Sequence, residues 1–162
     1  MRAAVPDPHR FAYKRTLWLP EEIDAALSGK AGIPELVEPR FHALLQRYIG
    51  GYYVSGALNG DPKKLHPDFE RLVNVPEVWV MCFRSPKSNQ WRLMGRFTAH
   101  NEFLGLGLYQ RSYLDGDHKY QSVVKAFLAH WQKIIPDQPV LIGGAIQDYI
   151  SQPVSDLYVP II

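Results

Sequence analysis

Apolar residues alternate with other residues through the middle of the chain, and this alternation is typical of β-strands. Residues 77–84, 91–98 and 103–110 each have the length and the composition of a strand. The connections between them, residues 85–90 and 99–102, are short, so we expect neighbouring strands to run antiparallel. The pattern therefore predicts a central three-stranded antiparallel meander.

A helical period appears on both sides of this region. Residues 20–28 begin with a proline, which the first turn of a helix tolerates, and stop before Gly29. Residues 39–49 and 119–134 each place their apolar side chains on one face at a spacing of about 3.6 residues. The chain is thus predicted to be α+β, with N-terminal helices, the central meander and a C-terminal amphipathic helix packed on the sheet.

The length of 162 residues fits a single domain, residues 1–162. Residues 1–12, rich in proline and basic side chains, are expected to form a loose N-terminal arm, and residues 138–162 a C-terminal extension. Residues 67–73 are expected to form one or two helical turns.

The two faces of the meander follow from pairing its strands symmetrically about their turns. Phe83 then lies opposite Arg92, Trp79 opposite Arg96, and Arg92 opposite Tyr109. Side chains alternate between faces along a strand. One face is predicted to be a leucine-rich core covered by the last helix: Val78, Val80, Cys82, Leu93, Phe97, Leu104, Leu106 and Leu108. The other face is predicted to mix aromatic, arginine and glycine residues: Trp79, Met81, Phe83, Arg92, Met94, Arg96, Gly105, Gly107 and Tyr109.

The mixed face allows two interpretations. Guanidinium groups neutralise phosphates and aromatic rings stack on bases, so this face suits a nucleic-acid strand. Gly105 and Gly107 would let a ligand approach the backbone closely. Alternatively, the sheet is covered on both sides, and Arg92 and Arg96 extend their stems over apolar neighbours. A slip of one residue in register would exchange the faces, so both interpretations stay open here.

Charge and composition change this picture little. The net charge is +2, so a basic patch for a polyanion requires local clustering of cations. The single cysteine, Cys82, excludes an internal disulfide. No run of 18 apolar residues and no signal peptide is apparent, so we expect no membrane span and a cytoplasmic protein. The six histidines lack metal-ligand spacing, and neither a metal nor another cofactor is expected.

One stretch of the chain resembles a known family. Residues 68–84 read Asp-Phe-Glu-Arg-Leu-Val-Asn-Val-Pro-Glu-Val-Trp-Val-Met-Cys-Phe-Arg, and residues 90–97 read Gln-Trp-Arg-Leu-Met-Gly-Arg-Phe. The first resembles the entry into the meander in the RelE/HigB-like toxins of bacterial toxin–antitoxin systems, and the second their arginine-bearing strand. The resemblance, over residues 68–111, implies an mRNA endoribonuclease that acts on the ribosome without a metal and is neutralised by a partner antitoxin.

The same resemblance implies candidate site residues. Arg84, Arg92 and Arg96 match family arginines, and Tyr109 matches a catalytic tyrosine. The chain departs from the family after Tyr109, where Gln110 and Arg111 replace a lysine-rich phrase, and it is longer than a typical member. Phosphodiester cleavage needs proton exchange as well as positive charge, and His100 in the second turn is a candidate for it. The predicted catalytic residues are therefore Arg92, Arg96, Tyr109 and His100, and the predicted RNA- or partner-binding residues are Trp79, Phe83, Arg84 and Arg111.

Two functions have support in the sequence, while a third, a small-molecule pocket between the sheet and the helices, stays open without a specific signal. The first is a metal-independent endoribonuclease of the RelE/HigB-like kind, either ribosome-dependent or acting on free RNA. The second is a non-catalytic module, such as a phage or mobile-element accessory protein, that binds protein or RNA with the same sheet face. Aromatic and arginine side chains are also typical of protein hot spots, so the residues alone fit either function.

Overall fold

A computed structural model describes residues 2–3, 14–33, 39–58, 66–84, 87, 89–151 and 154–156. Its strands are β1 (Arg2–Ala3), β2 (Thr16–Leu19), β3 (Val54–Ala57), β4 (Phe69–Arg71), β5 (Trp79–Phe83), β6 (Trp91–Ala99), β7 (Glu102–Gln110) and β8 (Val154–Asp156). Its helices are α1 (Glu21–Leu27), α2 (Pro39–Ile49), α3 (Asp117–Ile134) and α4 (Ile146–Tyr149), with a 3₁₀ helix at Arg111–Leu114.

The strands form one mixed sheet in the order β1-β2-β7-β6-β5-β4-β3-β8. Six strands, β2 to β7, make up its body, and the short β1 and β8 extend its two edges. β5, β6 and β7 are consecutive and antiparallel, but β2 runs parallel to β7, and β3 runs parallel to both β4 and β8. The prediction of a three-stranded antiparallel sheet is therefore wrong, although the protein is α+β overall.

The helices lie close to their predicted positions. α2 has the predicted bounds, α1 begins one residue late, and α3 begins two residues before the predicted start. The helical turns predicted within residues 67–73 are wrong, because this segment contains strand β4, in which Phe69 pairs with Met81. No helix in the described ranges combines the length and the apolar character needed to cross a membrane.

Both ends of the chain contribute to the sheet. Arg2 and Ala3, from the segment predicted as a loose arm, pair with β2. The remaining residues of 1–12 lie outside the described residues. In the predicted C-terminal extension, α4 is followed by β8, which pairs with β3.

The register of the first hairpin differs from the prediction by one residue. Phe83 pairs with Trp91, and Arg92 pairs with Cys82. In the second hairpin Arg92 pairs with Tyr109 as predicted, but a bulge after Met94 places Leu104, and not Gly105, opposite Arg96. Arg92 and Arg96 therefore share a face with Cys82 and not with the aromatic residues of β5, so the predicted mixed face is wrong.

One side of the sheet, which we call the aromatic face, is covered over its centre, and only Trp91 and Leu108 at its border are partly exposed among the described residues of β5 to β7 that pack against its cluster. Its residues belong to a single buried cluster with apolar side chains of α1, α2 and α4, including Ile23, Tyr48 and Tyr149. Ring packing is dense: the centroid of Trp79 lies 4.7 Å from that of Tyr149. The aromatic face consists of Phe69, Trp79, Met81, Phe83, Leu93, Phe97 and Phe103.

The other side, which we call the arginine face, has one long helix as its cover. Val124, Phe127 and Trp131 of α3 pack on its apolar residues. Trp131 also lies under the guanidinium group of Arg96, 5.1 Å from the ring centroid. The arginine face consists of Glu70, Val78, Val80, Cys82, Arg92, Met94, Arg96 and Leu104.

Candidate functional site

A cleft opens on the arginine face where α3 begins, and we call it the basic cleft. Its volume is about 830 Å³. The floor comes from β4, β5 and β6, and the walls come from the 3₁₀ helix and the first turn of α3. The lining residues are His66, Glu70, Val80, Arg84, Lys87, Gln90, Arg92, Arg111, Leu114, Asp115, Gly116 and Tyr120.

Positive charge is concentrated in this cleft. Three arginines and Lys87 face only two carboxylates, Glu70 and Asp115, which leaves an excess of two positive charges. That excess equals the net charge of the whole chain, +2. The mild overall charge of the protein therefore conceals a clustered basic site.

Arg92 is the most buried of these cations, with 5% of its surface exposed. Its Nη1 atom donates to the carbonyl oxygens of Trp91 (2.9 Å) and Phe83 (3.4 Å), and its Nη2 atom donates to Oε1 of Gln90 (3.3 Å). Burial lowers the pKa of Arg92, but a guanidinium group stays charged in proteins. The side chain is thus a fixed positive charge in a site of low polarity, where it acts more strongly on an anion than in water.

Arg84 and Arg111 stand at the rim with looser partners. Nη2 of Arg84 donates to the carbonyl of Pro67 at 3.2 Å and lies 4.0 Å from a carboxylate oxygen of Glu70. Nη1 of Arg111 lies 3.5 Å from a carboxylate oxygen of Asp115, and both side chains are about half-exposed or more. An exposed ion pair such as Arg111–Asp115 contributes little energy, so Arg111 is able to turn toward an anion in the cleft.

Glu70 is the carboxylate that the cations surround. It pairs with Val80 in the sheet and therefore points to the arginine face. Burial raises the pKa of Glu70 above its ordinary value, and the positive charges of Arg92 and Arg84 only partly oppose that effect. A carboxyl group with a raised pKa next to fixed positive charge is able to exchange a proton closer to neutral pH than an ordinary one.

Three further protic groups lie near Arg92 on this face. Burial raises the pKa of Tyr120 and of Tyr109, so both hydroxyl groups stay protonated near neutral pH and serve as hydrogen-bond donors. Burial also raises the pKa of Cys82 to about 12, which keeps the thiol protonated and unreactive.

The first turn of α3 closes one side of the cleft. Gly116, with φ of 99°, is the residue before the helix and lines the cleft. The backbone N–H groups of a first turn have no partners within the helix, and the helix dipole makes this end positive. The helix therefore adds to the positive potential that the arginines set up.

The cleft brings together three of the predicted site residues: Arg84, Arg92 and Arg111. Tyr109 lies next to Arg92 in the strand register. Trp79 and Phe83 lie on the aromatic face with 0% and 2% of their surface exposed, so their rings offer no surface for a base or a partner. The space beside Gly105 is filled by Leu93, whose Cδ1 atom would lie 2.8 Å from an added Cβ.

Arg96 and His100 lie away from the cleft. The guanidinium group of Arg96 packs over Trp131 and donates to the carbonyl of Pro76 at 3.4 Å. His100 lies in the turn between β6 and β7, where its Nδ1 atom is 2.9 Å from the carbonyl oxygen of Asp148. At ~3.3 Å per strand residue, the eight positions from Arg92 to His100 span roughly 25 Å, too far for both to contact one phosphate.

Sequence reasoning missed Glu70 and assigned Tyr120 to the apolar stripe of the last helix. The alternation of Phe69, Glu70 and Arg71 is a strand signal, but it is only three residues long, and residues 67–73 are predicted from the sequence as helical turns. Tyr120 does lie on the inner side of α3, yet it stands one turn before the helix reaches the apolar part of the arginine face.

Two further findings concern metal binding and similarity to known proteins. Among the residues that the structure describes, no group of three or more His, Cys, Asp or Glu side chains is placed to hold a metal ion. The chain matches no protein-family model, and comparisons with curated proteins and with solved structures give no significant match.

Proposed function

We propose that the protein is a metal-independent endoribonuclease that binds single-stranded RNA in the basic cleft. The observation that carries this proposal is that Arg84, Arg92, Arg111 and Lys87 line the same cleft as one half-buried carboxylate, Glu70. Arginine forks match the geometry of phosphate oxygens, and a concave site lined by one sign of charge attracts a polyanion. These residues support both binding of a phosphodiester and chemistry on it.

The proposed reaction is an internal transesterification. The Glu70 carboxylate accepts the proton of a ribose 2′-OH, whose oxygen forms a bond to the adjacent phosphorus. The bond from phosphorus to the 5′ oxygen breaks, and that oxygen takes up a proton. The products are a 2′,3′-cyclic phosphate and a 5′-hydroxyl end. Arg92 and Arg84 stabilise the charge that builds on the phosphate oxygens in the transition state.

His66 is the residue that we assign as the proton donor to the leaving oxygen. It lines the mouth of the cleft and is exposed. Histidine is the side chain that most often transfers protons in catalysis. We assign to the Tyr120 hydroxyl, which stays protonated and lines the cleft, a hydrogen bond donated to the phosphate.

The resemblance over residues 68–111 extends the proposal to a setting. It implies mRNA on the ribosome as substrate, a neutralising antitoxin-like protein as partner, and action in the cytoplasm. The clustering of cations on one side of the sheet supports this, because ribosomal RNA and mRNA are both polyanions.

The test is cleavage of a 5′-labelled single-stranded RNA by purified protein, alone in excess EDTA, and in a separate reaction with ribosomes in the Mg²⁺ buffer that keeps them assembled. We expect fragments that end in 2′,3′-cyclic phosphate. A substrate with one 2′-deoxyribose should resist cleavage at that position, because the attacking hydroxyl is absent. Glu70→Gln should lose cleavage by about 100-fold or more while still binding RNA, as expected for loss of a general base.

The matched control is Lys125→Ala, which removes an exposed positive charge from α3 outside the cleft. It should cleave like the unchanged protein. Intact RNA in all reactions, with and without ribosomes, would refute the endonuclease proposal. Cleavage by Glu70→Gln at the rate of the unchanged protein would refute the role of Glu70.

A second candidate function is RNA binding without cleavage. The observation that favours it is that the N–H groups of Arg92 already donate to three oxygen atoms of the chain itself. Such a guanidinium group presents charge to an anion without having to move, which suits recognition as well as catalysis. Tight binding of RNA that remains intact for hours on ribosomes would favour this candidate over the nuclease.

A further inference from the structure

A groove lies beside the basic cleft, and the 3₁₀ helix and the start of α3 form part of both. Its volume is about 480 Å³, and it runs between the end of β7, the 3₁₀ helix and the outer side of the first turns of α3. The 3₁₀ helix contributes to both sites, since Arg111 and Leu114 line the basic cleft and Tyr113 lines the groove. The groove is lined by Tyr109, Tyr113, His118, Lys119, Ser122 and Val123.

Tyr113 is the prominent side chain of this groove. It exposes 66% of its surface, although it is a large aromatic residue. A single exposed aromatic residue is common and needs no explanation. Tyr113, however, is only two residues from Arg111, so their Cα atoms lie within ~7.6 Å of each other. The nucleotide next to a phosphate held by Arg111 is therefore within reach of the Tyr113 ring.

The remaining polar residues of the groove suit the phosphate backbone of a nucleic-acid strand. His118 and Lys119 are exposed and belong to the first turn of α3, where the helix dipole is positive. None of the six lining residues is acidic. The groove thus continues the positive potential of the basic cleft and adds an aromatic surface to it.

We infer that this groove is a nucleotide subsite, in which a base of single-stranded RNA stacks on Tyr113 while Lys119 holds the phosphate next to it. The inference rests on the proposed function, because it takes the neighbouring phosphate of the same strand to lie in the basic cleft. Stacking on an aromatic ring tolerates any base, so the subsite should bind all four nucleotides with little preference.

The geometry also predicts what the subsite does for the reaction. Tyr113 contacts a nucleotide beside the scissile phosphate and not the reacting atoms, so it is a positioning residue. Its loss should weaken the binding of RNA more than it slows the chemical step, and the effect should appear in KM more than in kcat.

The experiment pairs a change in the protein with a change in the RNA. Binding of a fluorescent decamer is measured for the unchanged protein, Tyr113→Ala and Tyr113→Phe. The same measurement is repeated with decamers that carry one abasic nucleotide at successive positions. We expect Tyr113→Ala to weaken binding of the intact RNA about 5- to 150-fold, which is ~1–3 kcal/mol at ~1.4 kcal/mol per tenfold, and Tyr113→Phe to retain most of the affinity.

The abasic series distinguishes stacking on Tyr113 from a purely structural role of that residue, because a structural role would not depend on which base is missing. At one position the abasic RNA should lose affinity for the unchanged protein by the same factor as the variant, and Tyr113→Ala should be insensitive to that change. Two results would overturn the subsite and leave the proposed function standing. One is an equal loss of affinity at every abasic position. The other is an RNA affinity that Tyr113→Ala does not change but that loss of Arg111 lowers. If the unchanged protein binds none of the RNA decamers, both the subsite and the proposed function fail.

Discussion

The two faces of the sheet are built from the same strands but end in different surroundings. The aromatic face is buried under α1, α2 and α4, and its rings pack at centroid distances such as 5.3 Å between Trp79 and Phe97. Among the described residues, α3 and the segment that follows it, with Ile135 and Val140, cover the arginine face, and the helix packs on one part of it. At the beginning of α3 the cover stops, and the basic cleft lies in the gap.

The difference shows how one sheet separates stability from function. Side chains alternate between faces, so adjacent positions such as Trp91 and Arg92 serve opposite roles. Where helices cover the sheet, apolar burial supplies stability. Where the cover is incomplete, charged side chains that are largely removed from water can still be reached by a ligand from the cleft. Keeping such charges out of water lowers the stability of the fold. Substitutions on the two faces should therefore act on different measured quantities.

The largest expected effect is on the aromatic face. Trp79 is fully buried, so Trp79→Ala removes a large ring and leaves a cavity. We expect the free energy of unfolding to fall by about 3–5 kcal/mol in urea denaturation. The control is Ile142→Ala, at a side chain that is 81% exposed, which should change it by no more than about 0.5 kcal/mol. Equal effects of the two substitutions would contradict the assignment of the aromatic face as the stable core.

A smaller effect, with a defined pH dependence, is expected at Glu70. Burial raises the pKa of Glu70, so the folded state favours its protonated form. That contribution to stability is present below the unfolded pKa of about 4.3 and is lost as the pH rises through the folded pKa. Because Gln has no such proton, the difference in unfolding free energy, Glu70→Gln minus unchanged protein, should increase from pH 4 to pH 8.

Denaturation curves of both proteins at successive pH values provide the check. Subtracting one protein from the other cancels the titration of all other groups, so the remaining slope belongs to position 70. A difference that falls with rising pH would mean that the surrounding arginines outweigh the burial of Glu70.

The register explains which parts of this arrangement the sequence predicts. β5, β6, β7 and α2 follow from local periodicity and lie close to their predicted positions, whereas β1 to β4 and β8 were not predicted. The pairing of Phe83 with Trp91 depends on the path of the turn, and a slip of one residue was enough to place Arg92 on the wrong side. The hydrophobic pattern does not reveal the slip, because both faces are buried.

The candidate site was predictable only in part for similar reasons. Arg84, Arg92 and Arg111 stand out as cations near the ends of strands, and the cleft unites them. Glu70 comes from a three-residue strand, too short for a periodic signal. Lys87 and His66 lie outside helices and strands, and only the tertiary structure brings them to the basic cleft. Long-range contacts of this kind are not encoded in local propensity.

The smallest expected effect is at Arg96, which lies on the covered part of the arginine face, away from the cleft. Arg96→Met removes the cation–π contact with Trp131 but keeps an apolar stem over the ring. We expect a loss of about 0.5–1 kcal/mol in unfolding free energy. RNA binding and cleavage should stay unchanged, because Arg96 does not line the cleft. A loss of cleavage above tenfold without unfolding would extend the site along β6 to Arg96.

The most direct test of the basic cleft is the salt dependence of RNA binding. Two exposed cations of the cleft are removed in Lys87→Ala/Arg111→Ala, and two exposed cations of α3 outside it in Lys125→Ala/Lys133→Ala. If Lys87 and Arg111 contact phosphates, the slope of log Kobs against log salt concentration for single-stranded RNA should become shallower by about 1.4 in the first variant, at ~0.7 per contact, and stay unchanged in the second. Equal slopes for all three proteins, or binding that does not weaken with salt, would contradict the assignment of the cleft as a phosphate site.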